Sequence, residues 1–209
     1  MALNRCWDVL ILASMALFTT AAHSSPDSDI MVIAHRGASA VYPDHSLPAY
    51  THALMVGADS IECDVTRSRD GVMLCRHDLV LDFSTDVLQH PALAGRTRTR
   101  RIPPGAAVGE GLPGPEPEEQ SGVFIADLSW AEIQTLSVRQ PMAFRDHALD
   151  GGAAGGVLRV EDFLALVAAH NRREVKAGRP TASVYMETKV RPGRILAGGG
   201  TINICVYGL

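Results

Sequence analysis

Four short apolar runs each end in residues able to do chemistry: His35-Arg36 after the first, Glu62 and Asp64 in the second, His77 after the third, and Glu187 with Lys189 at the end of the fourth. Glu62 and Asp64 are two positions apart, so in an extended strand their carboxylates point the same way. Two carboxylates held that close repel unless a cation or a shared proton neutralises them. Oxygen donors favour Mg²⁺ or Ca²⁺ over a soft metal, and Glu187 is a candidate third ligand. The competing reading of the same pair is a solvated acidic strand end that binds nothing. His35 and His77 suit an acid and base pair, because imidazole changes charge nearest to neutral pH. Phosphodiester cleavage needs one proton taken from the attacking oxygen and one given to the leaving alcohol. Arg36 and Lys189 are candidates for the phosphate oxygens, Arg through a planar fork and Lys as a point charge. Any one of these residues alone reads equally well as a surface or hydrogen-bonded side chain.

Placing such groups together is the task of the elements around them. Residues 30–34 are a continuous apolar run, the pattern of a strand buried on both faces. Ser46 precedes Leu47-Pro48, and Leu47, Tyr50 and Leu54 recur at helical spacing before Gly57. That is the order of cap, early proline, apolar stripe and terminal glycine expected of a helix. Residues 60–65 and 72–77 read as further strands, joined by a turn at Arg69-Asp70-Gly71. Strand, helix, strand predicts a parallel pair, because parallel neighbours need a crossover. The short link to the third strand suits a hairpin better, so a parallel barrel does not follow from the pattern alone.

Residues 87–128 read as a long insertion. Within it, 94–122 carry a basic patch and a Pro/Gly/Glu-rich tract without periodicity, predicted to be solvated loop. Ser129-Trp130-Ala131-Glu132 is a capping box, with Ile133 and Leu136 on one face of the helix it opens. A second helix spans 160–176, ended by Gly178 and Pro180, and 182–188 is a fourth strand. Val184 and Met186 share one of its faces, Tyr185 and Glu187 the other.

The 209 residues, 46% hydrophobic and 20% charged, suit one globular domain. A net charge of −4 argues against nucleic acid as a partner. Residues 1–22, with Arg5 before an apolar stretch and small residues near a cut, read as a secretory signal rather than a stable membrane span; Asp8 departs from that pattern and leaves a buried or anchoring N-terminal helix as the alternative. This predicts a secreted or periplasmic protein. Cys6 would leave with the signal, so the odd set Cys63, Cys75 and Cys205 yields no disulfide framework. Strand alternation predicts that Cys63 and Cys75 face opposite ways and do not bridge.

Six stretches occur in order: residues 33–38 (Ile-Ala-His-Arg-Gly-Ala), 43–47 (Pro-Asp-His-Ser-Leu), 57–65 (Gly-Ala-Asp-Ser-Ile-Glu-Cys-Asp-Val), Asp70-Gly71, His77-Asp78 and 186–189 (Met-Glu-Thr-Lys). Together they resemble the signatures of the glycerophosphodiester phosphodiesterase family, its secreted or periplasmic branch in particular. The resemblance implies an α/β fold, a TIM-type (β/α) barrel. It implies His35 and His77 as acid and base, Glu62, Asp64 and Glu187 around a divalent cation, and Arg36 and Lys189 near the phosphate. It implies Ca²⁺ in preference to Mg²⁺, and a small glycerophosphodiester hydrolysed to glycerol 3-phosphate and an alcohol. Asp44 stands where the family usually has glutamate, a shortening expected to weaken a loop contact, and Thr188 replaces a commoner apolar residue.

On this reading the domain covers 23–191, holds about the first four strand units, and is followed by a non-homologous tail at 192–209. A barrel cut short exposes strand edges and should be unstable alone, which leaves two expectations: its missing half is supplied by another chain, or the sequence is a shortened product of a longer gene. A catalytically inactive fragment and a related barrel phospholipase acting on sphingomyelin-like lipids stay open as alternatives.

Overall fold

The computed structural model describes residues 30–102 and 118–189. The expected signal at 1–22, the centre of the insertion and the tail at 192–209 lie outside these residues. The chain divides into compact units Met1–Met31 and Val32–Leu209, and all but two of the described residues belong to the second.

The sheet that carries the site is built around one long strand. β1 (Ile33–Ala34) leads through α1 (Leu47–Met55) to β2 (Ser60–Arg67), and β3 (Met73–Cys75) follows after a turn. The insertion contributes a short helix α2 (Pro91–Ala94) and an antiparallel ribbon of β4 (Arg98–Ile102) and β5 (Glu118–Gly122). Beyond it come α3 (Trp130–Ile133), α4 (Val160–Lys176) and β6 (Ser183–Thr188). β1 and β6 both run parallel to β2, and both pair with Ser60 and Ile61, so they lie on opposite edges of it. β3 is antiparallel and pairs with Val65, Thr66 and Arg67. Val65 also pairs with Thr188, which puts β3 on the β1 edge, farther along β2.

The expectation of four barrel strands is therefore corrected. The described residues contain three parallel strands, and the third predicted strand is the return arm of a hairpin, the arrangement its short link suited. The reason is the short turn at Asp70-Gly71, which leaves no room for a crossover. Gly71 takes φ 90° there, and Gly71 N–H closes the turn on Ser68 O at 3.1 Å.

One face of this sheet is covered by α1 and α4. Ile61, Cys63, Val65 and Val184 pack against Tyr50, Leu54, Phe163 and Val167, and the rings of Tyr50 and Phe163 lie 4.6 Å apart. The buried stripe of α1 is Ala49, Tyr50, Ala53 and Leu54, while Leu47 is exposed, a correction to the predicted stripe. Leu47 is the first helical residue, and its side chain sits at the solvent end of the turn that Ser46 caps by accepting from Ala49 N–H. α4 matches its predicted bounds. Asn171 fastens it to the start of β6, donating to Ala182 O at 2.8 Å and accepting from Ala182 N–H at 3.0 Å. The capping box at Ser129 and Glu132 forms as expected, with Ile133 and Leu136 buried.

Cys63 and Cys75 are free, as predicted, but the predicted reason fails: both lie in the same helix-covered core. Cys75 pairs with Val65, and Val65 shares a face with Cys63. The loop reading of 94–122 is corrected too. Arg101 pairs with Glu119 and Arg100 with Gln120, so a basic strand faces an acidic one, which ordinary apolar alternation does not signal. Among the described residues no helix is long and apolar enough to cross a membrane.

Candidate active site

The face of the sheet away from the helices holds the polar cluster. β2 presents Glu62 and Asp64 there, and β6 sets Tyr185 opposite Glu62 and Glu187 opposite Asp64. Carboxylate oxygens of Glu62, Asp64 and Glu187 all lie within 4.8 Å of one another. Glu62 and Asp64 are buried, and Glu187 is exposed.

Each carboxylate has its own environment. Glu62 Oε2 accepts from the backbone N–H of Arg36 at 2.7 Å, while Oε1 is buried and unpaired among the described residues. Burial, then the charge of Asp64, pushes Glu62 up to about 8. Burial acts on Asp64 in the same direction, but its hydrogen bond with His45 and the ammonium of Lys189 outweigh it and hold the carboxyl below the usual carboxylate range. Asp64 Oδ2 lies 3.0 Å from His45 Nε2 and 3.3 Å from Arg36 Nε, and Oδ1 lies 3.0 Å from Lys189 Nζ. Lys189 Nζ also donates to Glu187 Oε1 at 2.6 Å. Sequence reasoning assigned Lys189 to a phosphate, yet here its ammonium bridges two of the three carboxylates.

His45 went unassigned from sequence and is the buried support of the cluster. Its burial pulls the imidazole down to about 4, so it is neutral near pH 7. An ionised Asp64 can only accept, so Nε2–H of His45 donates to it and Nδ1 accepts from the Tyr50 hydroxyl at 2.7 Å. Both His45 and Arg36 sit in the left-handed backbone region, at φ 60° and 61°. Such positive φ in residues with side chains is a strained state that tends to gather at functional sites. Gly37, at φ 82°, lets the loop lie against α1: a Cβ there would sit 2.8 Å from the Ala49 carbonyl carbon.

His77 arrives by the hairpin that the short link suited. β2 runs past Asp64 to Arg67, and β3 brings the chain back until Arg76 N–H donates to Asp64 O at 2.9 Å. His77 thus reaches the level of the carboxylates from an antiparallel arm. Its Nδ1 hydrogen-bonds to Asp78 Oδ1 at 2.8 Å, and a carboxylate acceptor makes Nδ1 the donor and frees Nε2. His35 is exposed. Burial of its inner edge, then Arg36, lowers its proton affinity, and Asp64, Asp44 and His77 all act on it electrostatically.

Asp44 makes stronger contacts than its shortened side chain predicted. Oδ2 takes Arg36 Nη1 at 2.9 Å and Oδ1 takes Arg145 Nη1 at 2.5 Å. The buried Arg76 donates to Asp44 O and Ser84 O. Asp78 and His45 were legible as neighbours of assigned residues within the quoted motifs. Arg145 carried no local signal at all.

The sequence profile described as the Glycerophosphoryl diester phosphodiesterase family matches residues 35–192. The chain belongs to this family. Glycerophosphodiester phosphodiesterase GDPD6 of Arabidopsis thaliana is 37% identical over 119 residues, which cover 57% of this chain and 28% of that protein. Glycerophosphodiester phosphodiesterase GDPDL3 of the same plant is 32% identical over 142 residues, covering 66% and 17%. This family member therefore aligns with less than a third of either relative. A crystal structure of glycerophosphodiester phosphodiesterase from Agrobacterium tumefaciens str. C58 matches 76% of this chain and 46% of its own, at 24% identity and a TM-score of 0.46.

Proposed function

We propose that this chain hydrolyses glycerophosphodiesters to glycerol 3-phosphate and an alcohol with the help of a divalent cation. The observation that carries the reading is the convergence of Glu62, Asp64 and Glu187 oxygens within 4.8 Å, two of the three buried. The residues fit a hard cation: every donor is oxygen, and the unpaired Glu62 Oε1 is a buried acceptor that a cation would satisfy. These three side chains would hold the ion, and Ca²⁺ suits their number and spread better than Mg²⁺, which demands tighter octahedral geometry. Bound there, the ion would screen the phosphate charge and acidify an attacking hydroxyl or water.

The protein's own groups do the rest. His77, with Nδ1 held by Asp78, offers Nε2 to exchange a proton with the substrate. His35, with its proton affinity lowered, is suited to take a proton at neutral pH, and the two together serve the attacking and leaving oxygens. Arg36 lies between Asp44 and Asp64, is partly exposed, and would offer a further N–H to a phosphate oxygen. Lys189 neutralises the carboxylate cluster and would swing to the phosphate as the cation enters. Secretion is part of the same proposal, supported by the pattern of residues 1–22, and a cell fractionation that left the protein inside the cytoplasm would remove it.

The direct test is release of glycerol 3-phosphate from glycerophosphocholine. Activity with Ca²⁺ that vanishes with a chelator is expected, and no cation-dependent release from any glycerophosphodiester would sink the reading. Cation binding should also expel a proton. Glu62 is pushed up to about 8 and is therefore largely protonated at pH 7, so calorimetry in buffers of different ionisation enthalpy should report about one proton released per ion. Release should fade as pH rises past 8. Zero release at pH 7 would mean that the ion binds elsewhere.

A further inference from the structure

We propose that Arg145, brought from far along the chain, is a positioning residue that keeps Arg36 available for the phosphate. The proposal rests on the reading of Arg36 given above and deepens it. Asp44 is buried, and its two oxygens are taken by two different guanidinium groups, Arg36 on Oδ2 and Arg145 on Oδ1. Arg145 stands on a loop closed at its base. Gln140 N–H donates to Asp150 Oδ1 at 2.6 Å, and Gly151 N–H donates to Val138 O at 2.9 Å. Gln140 then ties the loop to the site by donating to Ser39 O at 3.4 Å and accepting from Arg145 at 3.3 Å.

A lone arginine beside a buried aspartate closes on it as a fork, with two nitrogens on two oxygens. Arg145 competes with that fork by occupying Oδ1. Arg36 is left with one contact to Asp44 through Nη1 and a looser approach to Asp64 through Nε, which is buried and has no hydrogen-bond partner among the described residues.

Binding of glycerol 3-phosphate to the full chain in the presence of Ca²⁺, measured by calorimetry, tests this without requiring turnover. Arg145→Gln should weaken binding about tenfold, and Arg145→Lys should recover most of it, because a single donor suffices to cap Oδ1. In an Asp44→Asn background, where Arg36 is already released, Arg145→Gln should add less than about twofold. Unchanged affinity in Arg145→Gln, or an undiminished loss in the Asp44→Asn background, would overturn the positioning role. A native chain that does not bind glycerol 3-phosphate would instead remove the phosphate-site reading, and the role of Arg145 with it.

Discussion

Replacing His77 by alanine is expected to lower kcat for glycerophosphodiester hydrolysis by about 10²–10⁴-fold, with KM changing by less than about threefold. The imidazole follows the return arm of the β2–β3 hairpin, is only partly buried, and makes its side-chain hydrogen bond to Asp78. Its removal leaves the helix-covered core intact, so the circular dichroism spectrum and melting point should barely move. Asp78→Asn should give a smaller loss, since an amide still bonds to the ring but can present the wrong partner and favour the wrong tautomer. Steady-state kinetics on glycerophosphocholine decide the matter. A His77→Ala variant within tenfold of native kcat would take His77 out of the proton transfer.

Glu62→Gln should separate stability from binding. The variant is expected to lose cation affinity by at least about a hundredfold while making the metal-free protein more stable by ~3 kcal/mol at pH 7. The sign follows from the shift. Glu62 is pushed from 4.5 up to about 8, so the folded state holds its proton more tightly than the unfolded chain does. Its ionisation costs the fold fully above pH 8, and that cost is recovered as pH falls toward 4.5. Glutamine can still accept from Arg36 N–H and carries no charge to bury. His45 works in the opposite sense: held neutral and pulled down from 6.5 to about 4, it contributes stability above pH 6.5 that is lost as pH falls through 4. The metal-free protein should therefore gain stability from pH 8.5 to about 6.5, then level off. Urea denaturation of both proteins across that range, together with Ca²⁺ calorimetry, gives the answer. A destabilised Glu62→Gln variant, or one that binds Ca²⁺ normally, would mean that the carboxylates are not held in repulsion.

The sequence alone determined the pieces whose cause is local. Ser46 and Ser129 cap helices because a side chain next to the first turn satisfies free N–H groups, and α4 matched its bounds because its apolar period and Gly178 stop are contiguous in the chain. Glu62 and Asp64 were legible as a pair because alternation along a strand fixes which side chains share a face, and Glu187 was legible only as a candidate at the end of another strand. Strand pairing joins residues distant in the chain, and only the tertiary structure decided it. The edge of β2 on which the His77 hairpin closes, the shared core of Cys63 and Cys75, and the ribbon of β4 and β5 all depend on which strands meet. The same holds for the support of the site. His45 acts through Tyr50 and Asp64, and Arg145 through Asp44, 101 positions away. A hydrogen bond is specified by where two atoms end up, and no pattern within one segment records the position of its partner in another.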